Sequence, residues 1–219
     1  MSAVSLPPPR SASLRSLTAA RARELLAGDA LAIDLRPVGD YLAGHIHRSI
    51  PLLFEPGPGL GGRARDLLPL DARLVLLDDG VSPLETAADS FRGKGFEVVG
   101  ALAGGVKAWA DPLVTTPVIQ LADARDVLAL VNVSDPGTVL PAGYRVGANI
   151  PVERLWDEAS ELGRTWDLGI LAGYGVRAAA AVGILEKLGF TKLTFVRTRR
   201  PGERPPQAPP VVFRAGGPP

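Results

Sequence analysis

The 219-residue chain has no cysteine, one methionine, two histidines and only 5% aromatic residues. Without a thiol it can form no disulfide, no thiolate metal site and no cysteine-based covalent intermediate. Its two histidines, His45 and His47, have no third ligand at a zinc-like spacing, so no metal site is expected. No Ser/His/Asp arrangement is visible. Neither a P-loop nor a G-x-G-x-x-G turn occurs in a strand-to-helix context, and no cofactor is expected. A net charge of +1 creates no field suited to nucleic acid or an anionic membrane surface. No apolar run reaches the roughly 18 residues of a membrane span, and prolines interrupt the start where a secretion signal needs an apolar core. The expectation is a cytoplasmic protein with neither nucleic-acid nor membrane partners.

What is present is a 46% hydrophobic, 21% charged composition, ordinary for a globular chain long enough for one large or two small domains. Thr18 is placed to cap a helix with Ala22, Leu25 and Leu26 on one face, ended by Gly28. A buried strand follows at 30–35. Leu74-Val-Leu-Leu77 is a second apolar strand, ending at Asp78-Asp79-Gly80. Ser82-Pro83-Leu84-Glu85 then reads as an N-cap, a first-turn proline and a capping-box glutamate. Leu84, Ala87, Ala88 and Phe91 form that helix's buried stripe, and Gly93 or Gly95 ends it.

The second half repeats the pattern. Ala22-Arg-Glu-Leu-Leu-Ala27 resembles Ala124-Arg-Asp-Val-Leu-Ala129, and Ile33-Asp-Leu-Arg36 resembles Val131-Asn-Val-Ser134, an internal repeat of domain size. A helix is expected at 151–162, with Val152, Leu155, Trp156, Ala159 and Leu162 on one face. A strand at 168–171 leads to a helix at 177–188, whose stripe is Ala178, Ala181, Val182, Leu185 and Leu188, stopped by Gly189. Trp109, Trp156 and Trp166 read as core. The alternation predicts an α/β protein of two tandem domains, each a parallel sheet flanked by helices. The expected order is a disordered tail (1–14), domain 1 (15–110), a linker (111–117), domain 2 (118–197) and a tail (198–219) with seven prolines. That last tail is either inert or a polyproline segment for a protein partner.

The most informative segment is Leu168-Gly-Ile-Leu-Ala-Gly-Tyr-Gly-Val-Arg177, an apolar run, a glycine-bearing loop and an alanine-rich helix. It aims backbone N–H groups and an arginine at one point, which suits an anion or a nucleophile's developing charge. The nucleophile's place is Ala172. The candidate anion-binding residues are Gly173, Tyr174, Gly175, Val176 and Arg177, although Arg177 can equally pair with a neighbouring carboxylate. Asp78 and Asp79 end the corresponding strand of the first half. Adjacent strand residues face opposite ways, so a turn and capping role is expected of them rather than paired acid/base chemistry.

Several separated motifs resemble the rhodanese (thiosulfate sulfurtransferase) family in its tandem form. Asp34-Leu-Arg36, Asp40-Tyr41 and Gly44-His45-Ile46 are similar to its D-x-R … E-Y-x-x-G-H-I opening. Leu102-Ala-Gly-Gly-Val-Lys-Ala-Trp109 is similar to its L-x-G-G-x-x-A-W close. In the second half, Gly143-Tyr-Arg-Val-Gly-Ala-Asn-Ile-Pro151 resembles G-H-I-P-G-A-x-N-I-P, and Ala172-Gly-Tyr-Gly-Val-Arg-Ala178 resembles the active loop C-x-x-G-x-R-S/A. The resemblance implies a loop cysteine that carries sulfane sulfur as a persulfide, with the loop N–H groups and arginine holding an anionic donor. It also implies an inactive first domain with aspartate at the nucleophile's place, as Asp78 is, and a structural role for His45. Here both nucleophile positions, Ala172 and Asp78, are degenerate. The second half departs further: Asn132 and Ser134 replace the D-x-R pair, Tyr144 the histidine, and the closing motif is missing. The expectation is a degenerate sulfurtransferase homologue acting as an anion-binding, ligand-binding or regulatory module for a thiosulfate-like anion. Two alternatives remain: an enzyme with residual or different activity in the same pocket, and a structural protein that recruits a partner.

Overall fold

The computed structural model describes residues 13–55, 59–80, 82–124, 129–136, 138, 146–173 and 175–198. Most of both expected tails, residues 125–128 of the repeated segment 124–129, Tyr144 and the loop residue Tyr174 lie outside them. The order is β1 (Ser16–Leu17), α1 (Ala19–Ala27), β2 (Leu31–Asp34), α2 (Val38–Ala43), β3 (Ile50–Pro51), α3 (Gly59–Leu67), β4 (Arg73–Leu77), α4 (Leu84–Arg92) and β5 (Glu97–Leu102). The second half continues with β6 (Val118–Gln120), β7 (Ala129–Asn132), β8 (Val146–Asn149), α5 (Leu155–Glu158), β9 (Leu168–Leu171), α6 (Gly175–Lys187) and β10 (Leu193–Arg197). Two parallel five-stranded sheets result, ordered β1-β5-β4-β2-β3 and β6-β10-β9-β7-β8. The second order is the first shifted by five strands, so the repeat read in the sequence is a repeat of topology.

The repeat extends to single hydrogen bonds. Leu35 N donates to Leu77 O at 2.9 Å, and Val133 N to Leu171 O at 2.9 Å. Leu52 N donates to Asp34 O at 2.8 Å, and Ile150 N to Asn132 O at 3.0 Å. Asp34, the last residue of β2, therefore corresponds to Asn132, the last of β7, and Asp78 to Ala172, the residues that follow the central strands β4 and β9.

Alternation within the strands divides the core. Leu31, Ile33, Leu74 and Leu76 face one way and join Val131, Leu168, Ile170 and Phe195 in a single apolar cluster shared by both halves. Ala32, Val75 and Leu77 face the other way and pack with α1 residues Ala22 and Leu25, while Leu130, Leu171 and Val196 pack with Leu121 and Ala124. Ala172 belongs to the shared cluster. The Ala172 loop thus opens toward the junction of the two halves.

The helix at the centre of that junction is α6. It starts at Gly175, earlier than the expected Arg177, and Ala178 through Glu186 are all buried instead of a single stripe. Alanine side chains this small let a sheet and a neighbouring chain approach from opposite sides. At Gly183 an added Cβ would lie 2.3 Å from Ser49 O, so β3 of the first half rests on the helix backbone. Trp156 Nε1 donates to Leu67 O at 2.7 Å, and Lys187 Nζ to Ala30 O at 3.3 Å, both from one half to the other. The segment 111–117 is stapled to the first half: Val114 pairs with His45, and Thr116 N donates to Leu42 O at 3.0 Å.

Three local expectations are corrected. The helix expected at 151–162 is a 3₁₀ turn (Val152–Arg154), the short α5, and a second 3₁₀ turn (Ala159–Glu161). Its buried residues come in pairs three apart, Val152 with Leu155 and Ala159 with Leu162, and a 3₁₀ turn puts such residues on one side. The capping box at Ser82–Glu85 does not form, because the Glu85 carboxylate accepts the Leu14 N–H at 3.0 Å and ties down the chain before β1. Trp166 is no core residue: it is 56% exposed, its indole lying over Gly163.

Candidate functional site

In the first half the cradle after β4 is already filled. Asp78 is buried, and its carboxylate accepts the backbone N–H groups of Gly80 and Ser82. Burial raises its pKa, and those two hydrogen bonds oppose the rise. The Gly104-Gly105 turn closes over it. Gly105 has φ 62°, and a Cβ there would stand 2.3 Å from Asp78 O. Val106 N donates to that oxygen at 2.8 Å. Asp78 organises its own turn, in keeping with the role expected from its position.

Below it, Asp34 and Arg36 form a bidentate pair, with Nε to Oδ1 at 3.0 Å and Nη2 to Oδ2 at 2.7 Å. Arg36 also donates to Gly44 O at 2.8 Å, which locks the turn carrying His45. His45 itself is fully buried, its ring stacked 4.0 Å from that of Tyr41. Burial, with the nearby Glu186 carboxylate, pushes the Tyr41 hydroxyl well above its ordinary range. His47 is exposed, and no group of three or more His, Asp or Glu suited to a metal occurs among the described residues.

The second half keeps this scaffold in neutral form. Asn132 Nδ2 donates to Asn149 Oδ1 at 3.0 Å, and Ser134 N donates to Asn132 Oδ1 at 3.2 Å. Ser134 Oγ then accepts the Gly173 N–H at 3.0 Å, so the first amide of the expected cradle is already engaged. Ala172 is 2% exposed. Gly175 and Val176 open α6, where first-turn amides have no partner within the helix. Arg177 takes the second of its two sequence readings. Its Nη2 lies 2.6 Å from Glu153, its Nη1 3.2 Å from Asp135, and its Nε 3.3 Å from Val133 O.

Two hollows flank the start of α6. A cavity of about 320 Å³ between the halves is walled by Val38 and Leu42 of α2, by Ala172, and by Phe195, Arg197 and Thr198. A smaller one of about 110 Å³ is lined by Arg63, Asp66, Glu153, Val176 and Arg177. The residues expected to form one anion site are therefore divided: Ala172, Gly173 and Gly175 face the larger hollow, Val176 and Arg177 the smaller.

The residues that sequence reasoning missed are Val38, Leu42 and Arg197. In the two sheets Leu76 pairs with Ala101, and Ile170 with Phe195. Arg197-Thr198 therefore stands where the first half has Ala103-Gly104. Thr198 Oγ1 donates to Ala172 O at 3.0 Å, taking the place of the Val106 N–H on Asp78 O.

Residues 18–112 match the profile of the rhodanese-like domain. Among solved structures the chain is similar to SseA from Escherichia coli, described with the 3-mercaptopyruvate sulfotransferases, at 19% identity over 86% of this chain and 99% of that one, with a TM-score of 0.40. It is similar to thiosulfate sulfurtransferase from Pseudomonas aeruginosa at 18% identity over 84% of this chain and 43% of that one, with a TM-score of 0.38. The Alr3790 protein from Anabaena sp. is 25% identical over 45% of this chain and 81% of that one, with a TM-score of 0.40. No curated protein matches the sequence. No helix among the described residues is long and apolar enough to cross a membrane. The D-x-R pair, the buried G-H-I histidine and the glycine turn over Asp78 all lie within residues 18–112, the part of the chain that is similar to the rhodanese-like domain.

Proposed function

We propose that the chain is a rhodanese-like binding module that carries no sulfur, and that its second half receives a small anionic ligand in the cleft between the halves. The observation behind this reading is Ala172, which heads the loop where the family resemblance calls for a nucleophile. A methyl group has no lone pair to attack a sulfane sulfur and no proton to lose. Its counterpart Asp78 is held by its own turn, and the chain has no cysteine elsewhere to substitute. The first-turn amides of α6 and the positive end of its dipole favour an anion beside Gly175. Because the cavity takes walls from both halves, a bound ligand would also brace them against each other, which is how the module would act as a regulator.

The test has three arms. The wild-type chain should show no thiosulfate:cyanide sulfurtransferase turnover above background, and turnover would sink the reading. Sulfate or thiosulfate should raise the melting temperature in a concentration-dependent way by binding the folded state. No such rise would remove the anion from the proposal. The variant Ala172→Cys, incubated with thiosulfate and weighed by mass spectrometry, is expected to gain one sulfur atom: its thiolate attacks the sulfane sulfur, the S–S bond of thiosulfate breaks and sulfite leaves, and the cavity beside residue 172 has room for the persulfide.

A further inference from the structure

We infer that the Ala172 cavity takes a small organic acid, a carboxylate on an apolar body, and that Arg197 is the residue that recognises its charge. This rests on the reading of the cavity as a ligand site and names the ligand's class.

The first argument is electrostatic. The arginine expected to meet an anion, Arg177, is held by both Glu153 and Asp135 and lines the other hollow. Arg197 is exposed and has no carboxylate partner among the described residues. It stands two residues after Phe195 on β10, and since strand side chains alternate, both lie on the side of the shared core. No aspartate or glutamate lines this cavity among the described residues, so nothing there competes for the guanidinium. Its forked donors match a carboxylate with two parallel hydrogen bonds.

The second argument is the wall chemistry. Val38, Leu42, Ala172 and Phe195 give the cavity an apolar surface, and Gly175 is close enough to the Phe195 ring that an added Cβ would stand 3.3 Å from Cζ. An inorganic anion would leave those walls wet. A volume of about 320 Å³ is at the small end of organic ligand sites, which begin at about 300 Å³. Thr198 and the α6 amides supply the remaining polar contacts at the mouth. The loss of the nucleophile fits this occupant: a methyl at 172 continues the apolar wall where a thiolate would repel a carboxylate.

The experiment titrates benzoate, its neutral isostere benzamide, and sulfate into the full chain, followed by amide chemical shifts in NMR. Benzoate should bind, with benzamide at least tenfold weaker. The surface substitution Arg197→Ala should lower benzoate affinity to the benzamide level, and Arg197→Lys should restore part of it. Benzamide binding as tightly as benzoate, or benzoate binding that Arg197→Ala leaves unchanged, overturns the inference. Sulfate binding without benzoate binding also overturns it, yet leaves the reading of the loop as an anion site standing. Sulfurtransferase turnover by the wild-type chain would overturn the reading that the module carries no sulfur and leave this inference standing, and a chain that binds none of the three probes would overturn both.

Discussion

His45 and Glu186 meet across 141 residues of sequence, with the imidazole Nε2 3.1 Å and 3.2 Å from the two carboxylate oxygens. The other ring nitrogen lies 3.0 Å from Tyr41 O. The same carboxylate accepts the Arg48 N–H at 2.9 Å, and Arg48 is the one described non-glycine residue with positive φ, at 68°. A backbone conformation that costs energy for a side chain of this size is thus held by a bond to the other half. The consequence concerns the candidate site. Helix α6 begins at the Ala172 loop and carries Glu186 near its end, so the His45 turn of the first half helps set where the loop stands.

Removing this acceptor should destabilise the whole molecule. Glu186→Leu leaves the Arg48 N–H and the His45 ring without their buried partner, an expected loss of about 1–3 kcal/mol. Glu186→Gln keeps an acceptor and should lose less. Urea denaturation followed by circular dichroism gives both values, and an unchanged midpoint for the leucine variant would show that the pair does not hold the halves together.

Close approach of helix and strand makes a second prediction. Gly183→Ala drives a methyl against Ser49 O and the Ile50 Cα, so α6 or β3 must move, at a cost of roughly 1–3 kcal/mol. Gly62, inside α3, has nothing within 4 Å of an added Cβ. Gly62→Ala should therefore stabilise the protein by about 0.5–1 kcal/mol. Opposite signs in thermal melts of the two variants are the expected outcome, and equal signs would contradict the packing of α6.

Much of this architecture was legible in short stretches of sequence. The four-residue apolar runs at 74–77 and 168–171 mark the central strands because parallel strands covered on both faces need no alternation of polarity. Gly28 and Gly189 ended their helices as read, and Thr18 caps α1 by accepting the Arg21 N–H at 3.2 Å. Helix α6 was misread as one-faced because alanine gives no contrast between a buried and a half-buried face. The partner of His45 was invisible for a different reason: a glutamate in an alanine-rich helix looks like a solvated charge until the fold brings it 3.1 Å from a ring nitrogen. Arg177 could be read as an anion ligand or as half of an ion pair, since only the path of the chain after Pro151 puts Glu153 beside it.

Asp78 supplies a pH test. Burial raises its folded-state pKa above that of the unfolded chain, for which about 3.9 is typical. Below that value the residue is protonated in both states and makes no difference. As pH rises toward the raised folded value, the unfolded chain releases its proton first, so the native state is progressively disfavoured, and the penalty stays constant above it. Asp78→Asn removes the titration but weakens the bonds from Gly80 and Ser82. The difference in melting temperature, variant minus wild type, should therefore become more positive from pH 3 to pH 7. A difference that stays flat over that range would mean the carboxyl is not raised.

The charge balance at Arg177 gives the last test. Glu153 and Asp135 together place two carboxylates on one guanidinium, which leaves that side of the loop unattractive to an anion. Glu153→Gln removes the closer charge while keeping a hydrogen-bonding oxygen, and Asp135→Asn removes the more exposed one. With both changes Arg177 becomes available to the space beside Val176, and sulfate affinity should rise by about tenfold, equivalent to about 1.4 kcal/mol. Because Arg177 lines the smaller hollow, the added sulfate should shift the amides of Val176 and Arg63, whereas an organic acid should still act on those of Phe195 and Arg197. Sulfate affinity unchanged in the double variant would show that the carboxylates are not what keeps this arginine from an anion, and that the loop's geometry has itself departed from the anion-holding form.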